Sequence, residues 1–109
     1  MLTRIWNFQT ALENVPTLEA FEQNYGLPMI TSQPGCLGVE LLRRRPEIGQ
    51  AETVADYCMI IRWESYELLQ SAITSTSWRE VIELFLSQGF GEGNGVNFVY
   101  DMVASSSNQ

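Results

Sequence analysis

Apolar and polar residues alternate through the first residues, "LTRIWNFQTA" over 2–11, the signature of a half-buried strand. Asn14 to Pro16 breaks that pattern, and Pro16 or Thr17 suits the start of a helix. From there Leu18, Phe21 and Tyr25 recur at helical spacing, with Met29 one turn on. Gly26 and Pro28 interrupt the run, which predicts a kink or an end and irregular restart. Gln33-Pro34-Gly35 is a turn signal. A second strand follows over about Cys36 to Arg44, then a polar hairpin loop, Pro46 to Thr53. The third strand, about Val54 to Trp63, is rich in residues of high strand preference. Ser65 is placed to cap a helix through Tyr66, Leu69 and Ile73. "TSTS" over 74–77 is poor helix material, and Ser77 with Glu80 reads as a capping box. That predicts a second segment from near Trp78 presenting Val81, Ile82 and Phe85, stopped by Gly89. "FGEGNG" reads as a flexible loop, Val96 to Val103 as a last strand, and 104–109 as a frayed tail.

The order β-α-β-β-α-β is the ferredoxin-like α+β pattern. It predicts one domain over 1–103, a four-stranded antiparallel sheet with two helices on one face. Period-two alternation sorts the strand residues into faces. Tyr57, Met59, Ile61 and Trp63 share one face of the third strand; Leu37, Val39 and Leu41 share one of the second. The face with Tyr57, Ile61, Val39 and Leu41 is expected under the helices, with Asn7 and Ile5 of the first strand on that side. The other face would then expose Leu2, Trp6, Phe8, Leu42, Cys58 and Ile60. Soluble monomers seldom leave so large an apolar patch uncovered. A homodimer paired through its sheet faces, a barrel-like assembly, is therefore expected.

Composition narrows the classes. Length, 109 residues, suits a single domain, and 45% hydrophobic residues suit a folded one. The formal charge of −7, from 13 acidic and 6 basic residues, speaks against nucleic acid and anionic membrane surfaces as partners. No apolar run approaches the ~20 residues of a bilayer span, and the first residues do not read as a signal peptide. Cys36 and Cys58 are expected as reduced core thiols, which suits a cytoplasmic protein. There is no histidine, so triad hydrolysis has no base and a zinc or mononuclear iron site lacks its commonest ligand. "GEGNG" does not follow a strand and open a helix as a phosphate loop must. Arg43-Arg44-Arg45 reads as a solvated hairpin end.

Three features resemble the antibiotic biosynthesis monooxygenase-like family of the dimeric α+β barrel superfamily. "QPGCLGVEL" resembles its Pro-Gly turn into strand two. "MIIRWESYELL" resembles its strand-Trp-x-Ser-helix signature. The element order matches from Leu2 to about Val103. Haem-degrading members use an Asn on strand one, a Trp ending strand three and a helical His. Asn7 and Trp63 fall at the first two positions, and the His is missing. The resemblance therefore implies the family's other chemistry, cofactor-free oxygenation of a small aromatic, phenol- or polyketide-like substrate, without metal, haem or flavin. In that reading Asn7 and the Trp63 indole hold a developing oxyanion and Tyr57 or Tyr25 relays a proton. Tyr25, Met29, Ile61, Trp78 and Phe85 line the substrate site. The competing reading is a non-catalytic homodimeric module that binds a small apolar ligand, or an accessory protein of the same fold whose pocket its own side chains fill, with Trp63, Tyr57, Trp78 and Phe85 as core and Asn7 satisfying backbone. A cleft of at least ~300 Å³ bounded by Asn7 and Trp63 favours the enzyme; one filled by Tyr25, Met29, Trp78 and Phe85 favours the module.

Overall fold

A computed structural model describes residues 1–91 and 95–107. Four strands, β1 (Leu2–Ala11), β2 (Cys36–Arg43), β3 (Val54–Trp63) and β4 (Val96–Asp101), form one antiparallel sheet in the order β2-β3-β1-β4. Helices α1 (Val15–Phe21) and α2 (Leu27–Thr31) lie in the first crossover, and α3 (Tyr66–Ile73) and α4 (Thr76–Ser87) in the second. This is the ferredoxin-like α+β fold expected from the element order. Most of the glycine-rich stretch read as a flexible loop, residues 92–94, lies outside the described residues, as do the last two of the tail.

Local chemistry explains most boundaries. At the Pro-Gly turn the Cys36 N–H donates to the Gln33 carbonyl at 3.1 Å. Gly35 takes a φ of +87°, open to glycine and costly for side chains with a Cβ. Ser65 accepts the Leu68 N–H at 3.2 Å and starts α3. The next cap is Ser75 rather than Ser77: Ser75 Oγ accepts the Trp78 N–H at 3.2 Å, so α4 begins two residues earlier than predicted. Gly89, at φ +77°, ends α4.

Between α1 and α2 the helix neither breaks nor restarts. It widens into a π-helical segment, Glu22–Gly26, and resumes with Pro28 in the first turn of α2. Proline has no N–H to give the preceding turn, and the widened segment absorbs that loss without ending the helix.

The register overturns one expectation. Leu2, Arg4, Trp6 and Phe8 stand opposite Trp63, Ile61, Met59 and Tyr57, and directly opposed residues share a face. They therefore lie under the helices, with Leu2 and Phe8 buried. Asn7 and Ile5, opposite Cys58 and Ile60, lie on the outer face, and Asn7 is exposed. Burying the face with the larger aromatic area wins over the face that alternation within one strand suggested. The outer apolar patch is thus built from Ile5, Leu42, Ile60, Val96, Phe98 and Tyr100, without Leu2, Trp6 or Phe8. Leu37 also departs: an irregularity between Cys36 and Gly38 turns Cys36 toward the core and leaves Leu37 half exposed.

Two apolar clusters fill the space between sheet and helices. One gathers Leu2, Ile30, Met59, Ile61, Trp63, Leu69 and Trp78; the other Phe8, Leu18, Phe21, Tyr57, Phe85 and Phe90. Phe90 lies in the stretch expected to be loop, yet is almost wholly buried with its ring edge-on to Phe85 at 5.4 Å. Cys58 sits opposite Asn7 and Leu42 on the outer face, so only Cys36 packs against the core as expected, and both cysteines are free thiols. Among the described residues no helix is long and apolar enough to cross a membrane.

Candidate functional site

Where the two clusters meet, the helices and sheet do not close completely. They leave a cavity of about 220 Å³. Trp6 and Phe8 from β1, Met59 and Ile61 from β3, Phe21 and Met29 from the first crossover, and Trp78, Val81 and Phe85 from α4 contribute to its wall. The aromatics support one another: Trp6 stacks on Phe8 at 4.1 Å between ring centroids, and Phe85 meets both edge-on at 5.4 and 5.6 Å. Such an array stiffens the wall, since each ring is fixed by a neighbour's preferred geometry. Gly95 leaves space for one of them, because a Cβ there would overlap the Trp6 indole.

Of the eight side chains singled out from sequence, Met29, Ile61, Trp78 and Phe85 come together on this wall. The other four do not reach it. Asn7 lines an outer-face groove with Leu42, Cys58 and Val96, across the sheet from the cavity. Trp63 is wholly buried against Trp78, with ring centroids 6.2 Å apart and its Nε1 unpartnered among the described residues. Asn7 and Trp63 thus lie on opposite faces, so the shared oxyanion site expected of them is not assembled. Tyr57 is buried, and its hydroxyl donates to Glu19 Oε2 at 2.8 Å, tying β3 to α1. Burial, and after it the Glu19 hydrogen bond, raises the phenol above its ordinary value and keeps it protonated. Tyr25 packs one side of its ring on Phe21 and is 58% exposed.

Sequence reasoning missed three polar members of the wall, Glu22, Arg4 and Asn97. Glu22 opens the π-helical segment and is only 3% exposed, and its Oε2 has no hydrogen-bond partner among the described residues. Burial alone pushes its carboxyl up from 4.5 to about 7. The carboxyl lies over Gly26, where a Cβ would overlap it. Arg4 reaches in from β1 with its guanidinium 5.8 Å from the centre of the Trp78 ring, a cation-π contact, and burial holds it below its ordinary value. One sequence signal pointed to Glu22. It stands four residues after Leu18, which is completely buried, and four before Gly26, so it sits on the helix's inward stripe.

The shape of this molecule recurs among solved structures. An antibiotic biosynthesis monooxygenase superposes with a TM-score of 0.72 at 15% identity, over 95% of this chain and all of that one. The chain has the antibiotic biosynthesis monooxygenase fold. A variant of SnoaB, a cofactor-independent oxygenase from Streptomyces nogalater, matches with a TM-score of 0.72 at 13% identity, over 95% of each chain. HapK from Hahella chejuensis matches with 0.75 at 12% identity, over all of this chain and 99% of that one. No family model matches the sequence, and no curated protein matches it. At these identities the likeness is one of fold, and activity has to be argued from the site.

Proposed function

We propose that the chain is a cofactor-independent monooxygenase that takes a small aromatic, phenol- or polyketide-like substrate into the cavity between sheet and helices. The cavity wall carries this reading. It is mostly apolar, with the rings of Trp6, Phe8, Phe21, Trp78 and Phe85 and few polar groups, as sites for ring systems are. Met29, Ile61, Trp78 and Phe85 hold the ring. At about 220 Å³, and bounded by neither Asn7 nor Trp63, the space falls short of the ~300 Å³ cleft expected of the enzyme, so the reading requires a compact substrate. A solved neighbour of the same fold is itself a cofactor-independent oxygenase.

In this chemistry the substrate supplies the reducing electrons. An activated ring methylene loses a proton and becomes a carbanion. The carbanion passes one electron to O₂, and the substrate radical and superoxide couple into a C–O bond. The peroxide takes up a proton and loses water, leaving a carbonyl. One CH₂ and one O₂ thus become one C=O and one H₂O. The protein's part is to bind the ring, exclude water, accept the proton and face the developing anion. Asn7 and Trp63 have no part in this proposal, because neither reaches the cavity. A homodimer belongs to it: the outer patch of Ile5, Leu42, Ile60, Phe98 and Tyr100 is covered by a second copy. In that dimer the Glu40–Arg62 ion pair, 2.7 Å apart on the same face, lies at the seam.

Oxygen uptake by purified, metal-free protein with anthrones and dihydroxynaphthalenes tests the reading. Val81→Trp, which fills the cavity from α4, abolishes uptake, while Asn7→Ala on the far face leaves it unchanged. Equal uptake in all three proteins, or none above buffer in wild type, removes the catalytic claim. Quenching of tryptophan fluorescence by the same compounds without oxygen consumption leaves the competing reading, a ligand-binding module.

A further inference from the structure

We infer that Glu22 is the proton acceptor of this cavity and that Arg4 holds the oxyanion left behind. The ligand is thereby restricted to an aromatic bearing an ionisable hydroxyl or an enolisable carbonyl. The inference rests on the proposed function for its setting, and on three independent features of the site for its content.

First, Glu22 is deeply buried and its Oε2 has no hydrogen-bond partner among the described residues, so no contact there accounts for a carboxyl at this position. An orphaned buried polar group costs about 1–3 kcal/mol, more when charged, and an apolar side chain would serve packing better. Second, the backbone is shaped around it. Glu22 begins a π-helical segment, a distortion that recurs at functional sites, and Gly26 provides the bare surface on which the carboxyl rests. Third, Arg4 lines the same cavity, and the two do not form an ion pair. Among the described residues the salt bridges are Arg43–Glu52 and Arg62–Glu40. A cation and a carboxyl that share an apolar chamber without touching leave room for a ligand group between them.

The groups facing Glu22 leave it free to act. Arg4 of β1 lines the same cavity. On the other side a small groove brings Glu19 and Gln23, Arg43 of β2 and Tyr57 of β3 near it. Glu19 is occupied by the Tyr57 hydroxyl, and Arg43 by Glu52. With burial holding the carboxyl near 7, it is partly ionised at neutral pH and basic enough to take a proton from an acidic ring position. In the step itself, the substrate's C–H or O–H bond breaks and its proton moves to Glu22 Oε2. The electron pair stays on the ring system as an enolate or phenolate, whose oxygen faces the Arg4 guanidinium. When the peroxide later needs a proton, Glu22 returns it, so the carboxylate is regenerated.

Carboxyl NMR of protein labelled with ¹³C-glutamate tests the assignment without turnover. One carboxyl resonance titrates near pH 7, is missing in Glu22→Gln, and moves when 1-naphthol is added under argon. Arg4→Gln weakens the naphthol response. In oxygen uptake with an anthrone, Glu22→Gln loses about 100-fold or more, and the wild-type rise of kcat/KM through pH 7 flattens. Should Glu22→Gln not fold, Glu22→Asp provides the resonance assignment. If wild type consumes no oxygen, the functional proposal fails, and the naphthol response still decides the role of Glu22. A Glu22 resonance indifferent to 1-naphthol, or wild-type uptake by Glu22→Gln, overturns the inference.

Discussion

Replacing Glu22 by Gln keeps the outline of the side chain and removes its titration. In the folded protein the carboxyl holds its proton up to about pH 7, whereas its ordinary value is 4.5. Between those two values the folded state binds more protons than the unfolded chain, so stability falls as pH rises. The contribution of the neutral carboxyl is fully present below about pH 4.5 and is gone once pH has passed about 7. Each tenfold change in proton affinity is worth about 1.4 kcal/mol, so the loss comes to about 3 kcal/mol. That is a large share of the ~5–15 kcal/mol that holds a domain folded. The Gln variant suffers no such loss. Urea unfolding followed by tryptophan fluorescence, at one protein concentration from about pH 4 to pH 9, measures the difference. The two proteins should differ little in pH dependence below 4.5, and the variant should gain about 3 kcal/mol on wild type by pH 9. With a urea slope of ~1–3 kcal/mol per molar, the midpoint moves by about 1 M or more. Other acidic groups change both proteins equally and cancel. A stability difference that is the same at both ends of the range would refute the reasoning. A variant that loses stability at high pH would mean that the Glu22 carboxylate is stabilised in the fold.

Two further outcomes follow from the same structure. Tyr57→Phe removes the hydrogen bond to Glu19 and costs about 1–2 kcal/mol in urea unfolding; an unchanged midpoint would mean that this bond adds nothing to the fold. Phe98→Glu places a charge in the outer apolar patch and halves the mass measured by light scattering; an unchanged mass would remove the sheet-face dimer.

The two strands that meet at the centre of the sheet were legible in sequence to the residue. Leu2–Ala11 alternates in hydropathy, and Val54–Trp63 is dense in β-branched and aromatic residues. The turn at Gly35 and the cap at Ser65 were legible too, because backbone conformation and helix ends select residue types directly. Half of the expected site also came together, since Met29, Ile61, Trp78 and Phe85 are large apolar residues on inward stripes. Asn7 shows where such reading stops. Alternation separates Asn7 from Trp6 without saying which of them faces the helices. That choice is made by the partner strand, which sets Trp6 against Met59 and Asn7 against Cys58. Leu37 was misplaced because a bulge shifts the register by a residue.

Glu22 and Phe90 mark the same boundary from the other side. An acidic residue on a helix reads as solvated, and a Phe among glycines reads as loop. Packing buries both. Residue order alone determined the elements and their succession, because propensities, turns and caps act over a few residues. The tertiary structure decided which face of β1 is interior, where a cavity remains, and that a carboxyl stands in its wall. Those depend on contacts between segments far apart in the chain, whose register and packing no local pattern encodes.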